Sequence, residues 1–175
     1  VIKRFLTLFI SFFLVLKLFS QSDAIDYHKK MQEIITPIEI QFSEFVQEIK
    51  NKLQLLPPDT FYITKQVYNE CIKKRHLVIV TCSNAKNKIT ELGLYGEDSL
   101  YFNHMIAIIK MYENLAKIEI LKVLACYSRI QPGCINLMMD ISDKLQTLGF
   151  RNDDTQNKFA KKYEFILPEI RSKNK

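Results

Sequence analysis

The chain has 175 residues, 25 Lys and Arg against 19 Asp and Glu, a formal charge of +6, and an apolar share of 47%. A balance that mild, with the charges interspersed, excludes the concentrated basic face of a nucleic-acid module. Only 4 Gly and 5 Pro leave too little turn material for an all-β fold, so the chain is expected to be mostly helix.

The first residues, Val1-Ile2-Lys3-Arg4, precede an apolar run from Phe5 to Leu16 and then Lys17-Leu18-Phe19-Ser20-Gln21-Ser22-Asp23-Ala24. A basic start, a short apolar core and small residues at the end are the pattern of a secretory signal peptide. The run falls short of the roughly 20 apolar residues of a spanning helix, and Lys17 would interrupt a longer one. Cleavage is expected after Ser22 or Ala24. Residues 1–24 then form the leader and 25–175 a single helical domain, secreted and free of the membrane once the leader is gone. Loss of Lys3, Arg4, Lys17 and Asp23 with the leader leaves +4.

In chain order, a short helix is expected over about 25–35. A fresh one starts at Thr36-Pro37-Ile38-Glu39, with Thr36 as N-cap and Glu39 closing a capping box. Ile38, Phe42, Phe45, Ile49, Leu53 and Leu56 form its apolar stripe, and Pro57-Pro58 end it. Asp59 or Thr60 is expected to cap the next helix, which carries Cys71, Val78, Cys82, Ala85 and Ile89 up to Gly93, with Leu94 folding back on Ile89. Its β-branched run Leu77-Val78-Ile79-Val80-Thr81 marks a place to break. From an Asp98 or Ser99 cap to Tyr127 the pattern is apolar on most sides, which makes this the central helix. Pro132 opens another helix, expected to end at Leu148-Gly149-Phe150 with Phe150 against Leu145. Asp153 with Gln156 caps a last one ending near Pro168. The expected fold is all-α: a disulfide-stapled up-and-down bundle of four to five helices.

Four cysteines downstream of a signal peptide suggest two disulfides. Zinc is disfavoured, because neither pair has the close spacing of zinc ligands and His28, His76 and His104 are scattered. Cys126 and Cys134 flank a corner containing Pro132-Gly133 and can meet across it. Cys71 and Cys82 are eleven residues apart, about 16 Å along a straight helix, while a disulfide needs Cα atoms within about 7 Å. Two local pairs, Cys126 with Cys134 and Cys71 with Cys82, are the expected connectivity, the second on condition that the helix breaks near Lys74 to Thr81. The competing scheme puts Cys71 level with Cys126 across an antiparallel hairpin.

No glycine-rich phosphate loop, metalloprotease motif or nucleophile elbow occurs. Asp153-Asp154 has the ordinary role of a helix start, and His104 that of a core or rim residue. No enzyme activity and no cofactor are expected. Lys73-Lys74-Arg75 is the one compact basic run, a candidate contact patch. Two functions remain: a secreted interaction protein or effector acting by binding a protein, such as a host protein, or an extracellular carrier of a small apolar ligand enclosed by the helices.

Cys126-Tyr127 with Cys134, and Tyr68-Asn69-Glu70-Cys71 with Cys82, set after a leader in a small helical body, resemble the bicycle family of secreted aphid salivary effectors, described by paired Cys-Tyr-Cys motifs. Neither motif here is contiguous, and together they cover little of the chain. The resemblance implies an effector delivered in saliva with no known enzymatic activity. Insect odorant-binding proteins are also helical, secreted and stapled, but usually carry six cysteines at other spacings.

Overall fold

The computed structural model describes residues 2–54, 63–129 and 133–167, with side chains from residue 21 onward in the first stretch and to residue 53 there. The described residues are helical almost throughout and include no strand. Helix α1 spans Ile2–Gln54, α2 Lys65–Leu92, α3 Ser99–Asn114, α4 Ile120–Ser128 and α5 Cys134–Lys162, with a single π-helical turn, Leu115–Glu119, joining α3 to α4.

Cross-helix pairs fix the directions. Glu48 meets Lys74 and Lys52 meets Glu70, so α1 and α2 are antiparallel. Lys86 meets Glu113, which reverses the chain again into α3. Phe159 stacks on Tyr101, and Glu39 accepts from Asn152, so α5 runs against both α3 and α1. The result is an up-down-up-down bundle of four rods, α3, the π turn and α4 making one of them, as the apolar periodicity requires.

Helix α1 corrects the expected break at Thr36. Pro37 sits inside it. Proline removes one amide donor and frees the carbonyl four residues back; here Pro37 and Glu33 are both exposed, so water can take that carbonyl. The opposite face buries Met31, Ile35, Ile38, Phe42 and Ile49 at 2% exposure or less, which outweighs the lost bond. The same helix runs through the expected cleavage sites, with Ala24 fully buried. No helix among the described residues is long and apolar enough to cross a membrane.

Helix α2 starts later than expected. Thr64 is its N-cap, its Oγ1 accepting from Val67 N at 3.3 Å, while Asp59 and Thr60 lie outside the described residues. The β-branched run does not break it: Val78 is fully buried and Thr81 Oγ1 donates to the Leu77 carbonyl within the helix. Core contact on one face thus overrides a weak local propensity. Gly93 ends the helix at φ 72°, its N–H bonded to Ile89 O, but Leu94 is half exposed and does not fold back.

Asp98 caps α3 as expected, Oδ1 accepting from Leu100 N and Tyr101 N at 3.1 and 3.4 Å. The central rod is interrupted at the π turn, where Ile120 N–H reaches back to Leu115 O. Arg75 of α2 closes the defect: Nε donates to Ala116 O at 2.7 Å and Nη2 to Lys117 O at 3.2 Å. A π turn leaves carbonyls without their usual amide partner, and the guanidinium fork supplies donors. Ile118, within the π turn, is 49% exposed.

Helix α5 does not stop at Gly149, and Asp153 is an exposed mid-helix residue, not a cap. Phe150 consequently points to solvent at 65% exposure instead of reaching Leu145. The real end lies beyond Lys162. Glu164 takes a left-handed φ of 58°, its N–H bonds Lys161 O, and Phe165 N–H bonds Ala160 O at 3.0 Å. That is a Schellman end with Phe165 turned into the core.

Candidate functional site

Cys126 and Cys134 form the expected disulfide, Cα atoms 5.6 Å apart, tying the last turn of α4 to the first of α5. Cys71 and Cys82 do not pair. Both are free and buried, because the unbroken α2 separates them by about 16 Å. Burial pushes both thiols up, that of Cys82 to about 11 with Glu113 adding to it, so neither is a thiolate at neutral pH. Cys71 does face Tyr127, in a small apolar space also lined by Ile49, Ile63, Val123 and Leu124. The competing scheme's level pair is not seen: Ile63 N–H bonds Tyr127 O and Arg75 bonds Ala116 O, so Cys71 stands nearer the height of Ile120 than of Cys126.

The basic run is not one patch. Lys74 pairs with Glu48 on α1 and Arg75 is half-buried on the π turn, which leaves Lys73 as the exposed cation without such a role. Successive helical positions point about 100° apart, so three adjacent basic residues serve three surroundings.

Two features that the sequence did not single out remain. One is the outer face of α5. Ile135, Met139 and Phe150 are 66%, 61% and 65% exposed, and their spacing places them within about 60° around the helix. On another flank of the helix Lys144 bridges Asp140 and Glu119.

The other is a half-open groove of about 290 Å³ between the first turns of α3 and the last turns of α5. Its floor is the stacked pair Tyr101 and Phe159, ring centroids 4.2 Å apart. Leu100 stands at the lip, 80% exposed. Lys158 and Lys162 line the α5 wall one turn apart, the first paired with Asp154 and the second with Asp98. Burial opposes charge on Asp98, but the Lys162 ammonium and the Tyr101 amide outweigh it and hold the carboxyl below the usual range. His104 closes the far side. Burial lowers its pKa, against the backbone of Arg151 and the charge of Asp154, and its Nε2 is buried without a hydrogen-bond partner.

Behind the floor, His28 is 5% exposed and its Nδ1 lies 2.7 Å from the Tyr101 hydroxyl. Phe159, Phe165 and Tyr27 surround the pair, and Tyr27 donates to Gly93 O at 2.7 Å. Burial lowers the His28 pKa and raises that of Tyr101. This is a closed aromatic core with a satisfied polar pair, and it holds the groove floor rigid. No group of three or more His, Cys, Asp or Glu among the described residues is arranged to hold a metal ion. Compared with family models, curated proteins and solved structures, the chain matches none.

Proposed function

We propose that the protein is secreted and acts as an interaction protein, an effector that binds a protein partner and carries out no catalysis. The observation that carries this reading is the α5 stripe. Ile135, Met139 and Phe150 keep large apolar side chains in water on one helix face. Exposed apolar patches of that kind mark interaction sites, and an amphipathic helix face fits an apolar groove on a partner. The apolar-core leader and the disulfide agree with an extracellular setting. Cleavage after Ser22 would retain Ala24, which is a core residue.

The carrier alternative requires an enclosed apolar cavity. Among the described residues, the apolar space lined by α1, α2 and α4 is about 10 Å³, room for one water at most, and the α3–α5 groove of about 290 Å³ is half open, not enclosed. The test is a pull-down from the fluid or tissue the protein enters, using the oxidised chain beside an Ile135→Glu, Met139→Glu, Phe150→Glu variant. A protein retained by the first and lost by the second is the expected result. Recovery of lipid alone, or equal recovery by both, would overturn the reading.

A further inference from the structure

The groove between α3 and α5 plays no part in that protein-binding reading, yet it combines two features a core does not need. Its floor is the buried pair Tyr101 and Phe159, stacked face to face and 2% and 3% exposed. Its lip carries Leu100, an apolar side chain 80% exposed at the start of a helix. Its α5 wall presents two ammonium groups, Lys158 and Lys162. The Lys158 side chain is 74% exposed and its pair with Asp154 is an ordinary i,i+4 surface pair, a contact worth about 0 to 1 kcal/mol that a competing anion can replace. Lys162 is committed to the helix cap, since its partner Asp98 is only 5% exposed in its side chain. Lys158 is therefore the cation free to exchange partners.

We infer that this groove is a binding site for a small organic anion with an apolar body. The acid group sits against Lys158, with Thr155 beside it on the same helix, and the body lies between the Tyr101–Phe159 floor and Leu100. The cavity, about 290 Å³, is at the bottom of the range of about 300 to 1,000 Å³ found for small-molecule sites. A bicyclic acid fits that space and a long lipid tail does not. An apolar lining with few polar groups on one side is the usual make-up of such sites.

The test is a titration of the ¹⁵N-labelled, oxidised full chain with 1-naphthoate, followed by amide shifts. Parallel titrations use 1-naphthalenemethanol, which lacks the charge, and inorganic phosphate, which lacks the body. Saturable shifts confined to residues 98–104 and 155–162 are expected, with each control binding at least about tenfold more weakly. Lys158→Glu should weaken naphthoate at least about tenfold, while Lys144→Glu, elsewhere on the same helix, leaves it unchanged. Far-UV circular dichroism checks that both variants fold. Shifts elsewhere, no saturation, equal binding of either control, or an unaffected Lys158→Glu would overturn the inference.

Discussion

The two ends of α5 are held by different physics. At its start a covalent bond, Cys126 to Cys134, closes a corner of eight residues. At its finish Phe159 and Phe165 pack among Tyr27, His28 and Tyr101, and the chain turns on a left-handed Glu164. A short disulfide loop acts mainly by limiting the unfolded chain, whereas an aromatic cluster acts through area removed from water in the folded one. A bundle can thus fix one rod by restricting alternatives at one end and by dense contact at the other.

The strongest way to break this balance is Phe159→Ala, which removes the ring that touches most of the cluster. A loss of about 3 to 5 kcal/mol is expected with the disulfide intact, measured by urea denaturation. Removing the staple with the Cys126→Ser, Cys134→Ser pair should cost about 2 to 3 kcal/mol. Native-state hydrogen exchange then sharpens the contrast: amides near residue 134 lose protection while those near Phe159 keep theirs. Equal loss at both ends would show that α5 opens as one unit.

Acid should weaken the aromatic end selectively. His28 and His104 have pKa values lowered from 6.5 by burial, and both adjoin Tyr101 or its groove. Below about pH 6.5 the unfolded state therefore binds more protons than the folded one, so stability is full above that pH and falls as pH drops through it. The melting temperature should be flat from about pH 8 to 7 and decline toward about pH 5.5, and a His28→Gln, His104→Gln variant should decline less. The smallest effects are stabilising. Gly149 lies inside α5 with open space where a Cβ would go, so Gly149→Ala should add about 0.5 to 1 kcal/mol. Glu164→Gly should add up to about 1 kcal/mol by relieving the left-handed φ. Thermal melts of the two variants, alone and together, check both.

Periodicity made the four rods legible, and local chemistry made the Asp98 cap and the Cys126–Cys134 corner legible, because each depends on residues close in sequence. The punctuation signals misled. Thr36-Pro37 and Leu148-Gly149-Phe150 carry the residues of helix ends, yet each sits in a rod whose buried face continues on both sides, with Ile35 and Ile38 in one and Leu148 and Asn152 in the other. Cys71 and Cys82 followed an even-count argument that a continuous helix defeats. The groove could not be read at all. Leu100 and Lys158 are far apart in sequence, and only the α3 to α5 packing makes them face one space.

The π turn at Leu115–Glu119 amounts to one residue too many for a regular helix. Everything after it is rotated by about 100° relative to an uninterrupted rod. Val123, Leu124, Cys126 and Tyr127 are all buried in the rod beyond the turn. Deleting one residue from the turn would swing Cys126 about a quarter turn away from Cys134. The aim of the disulfide is therefore set upstream of the corner it closes, by a helical miscount that Arg75, on another helix, holds in place.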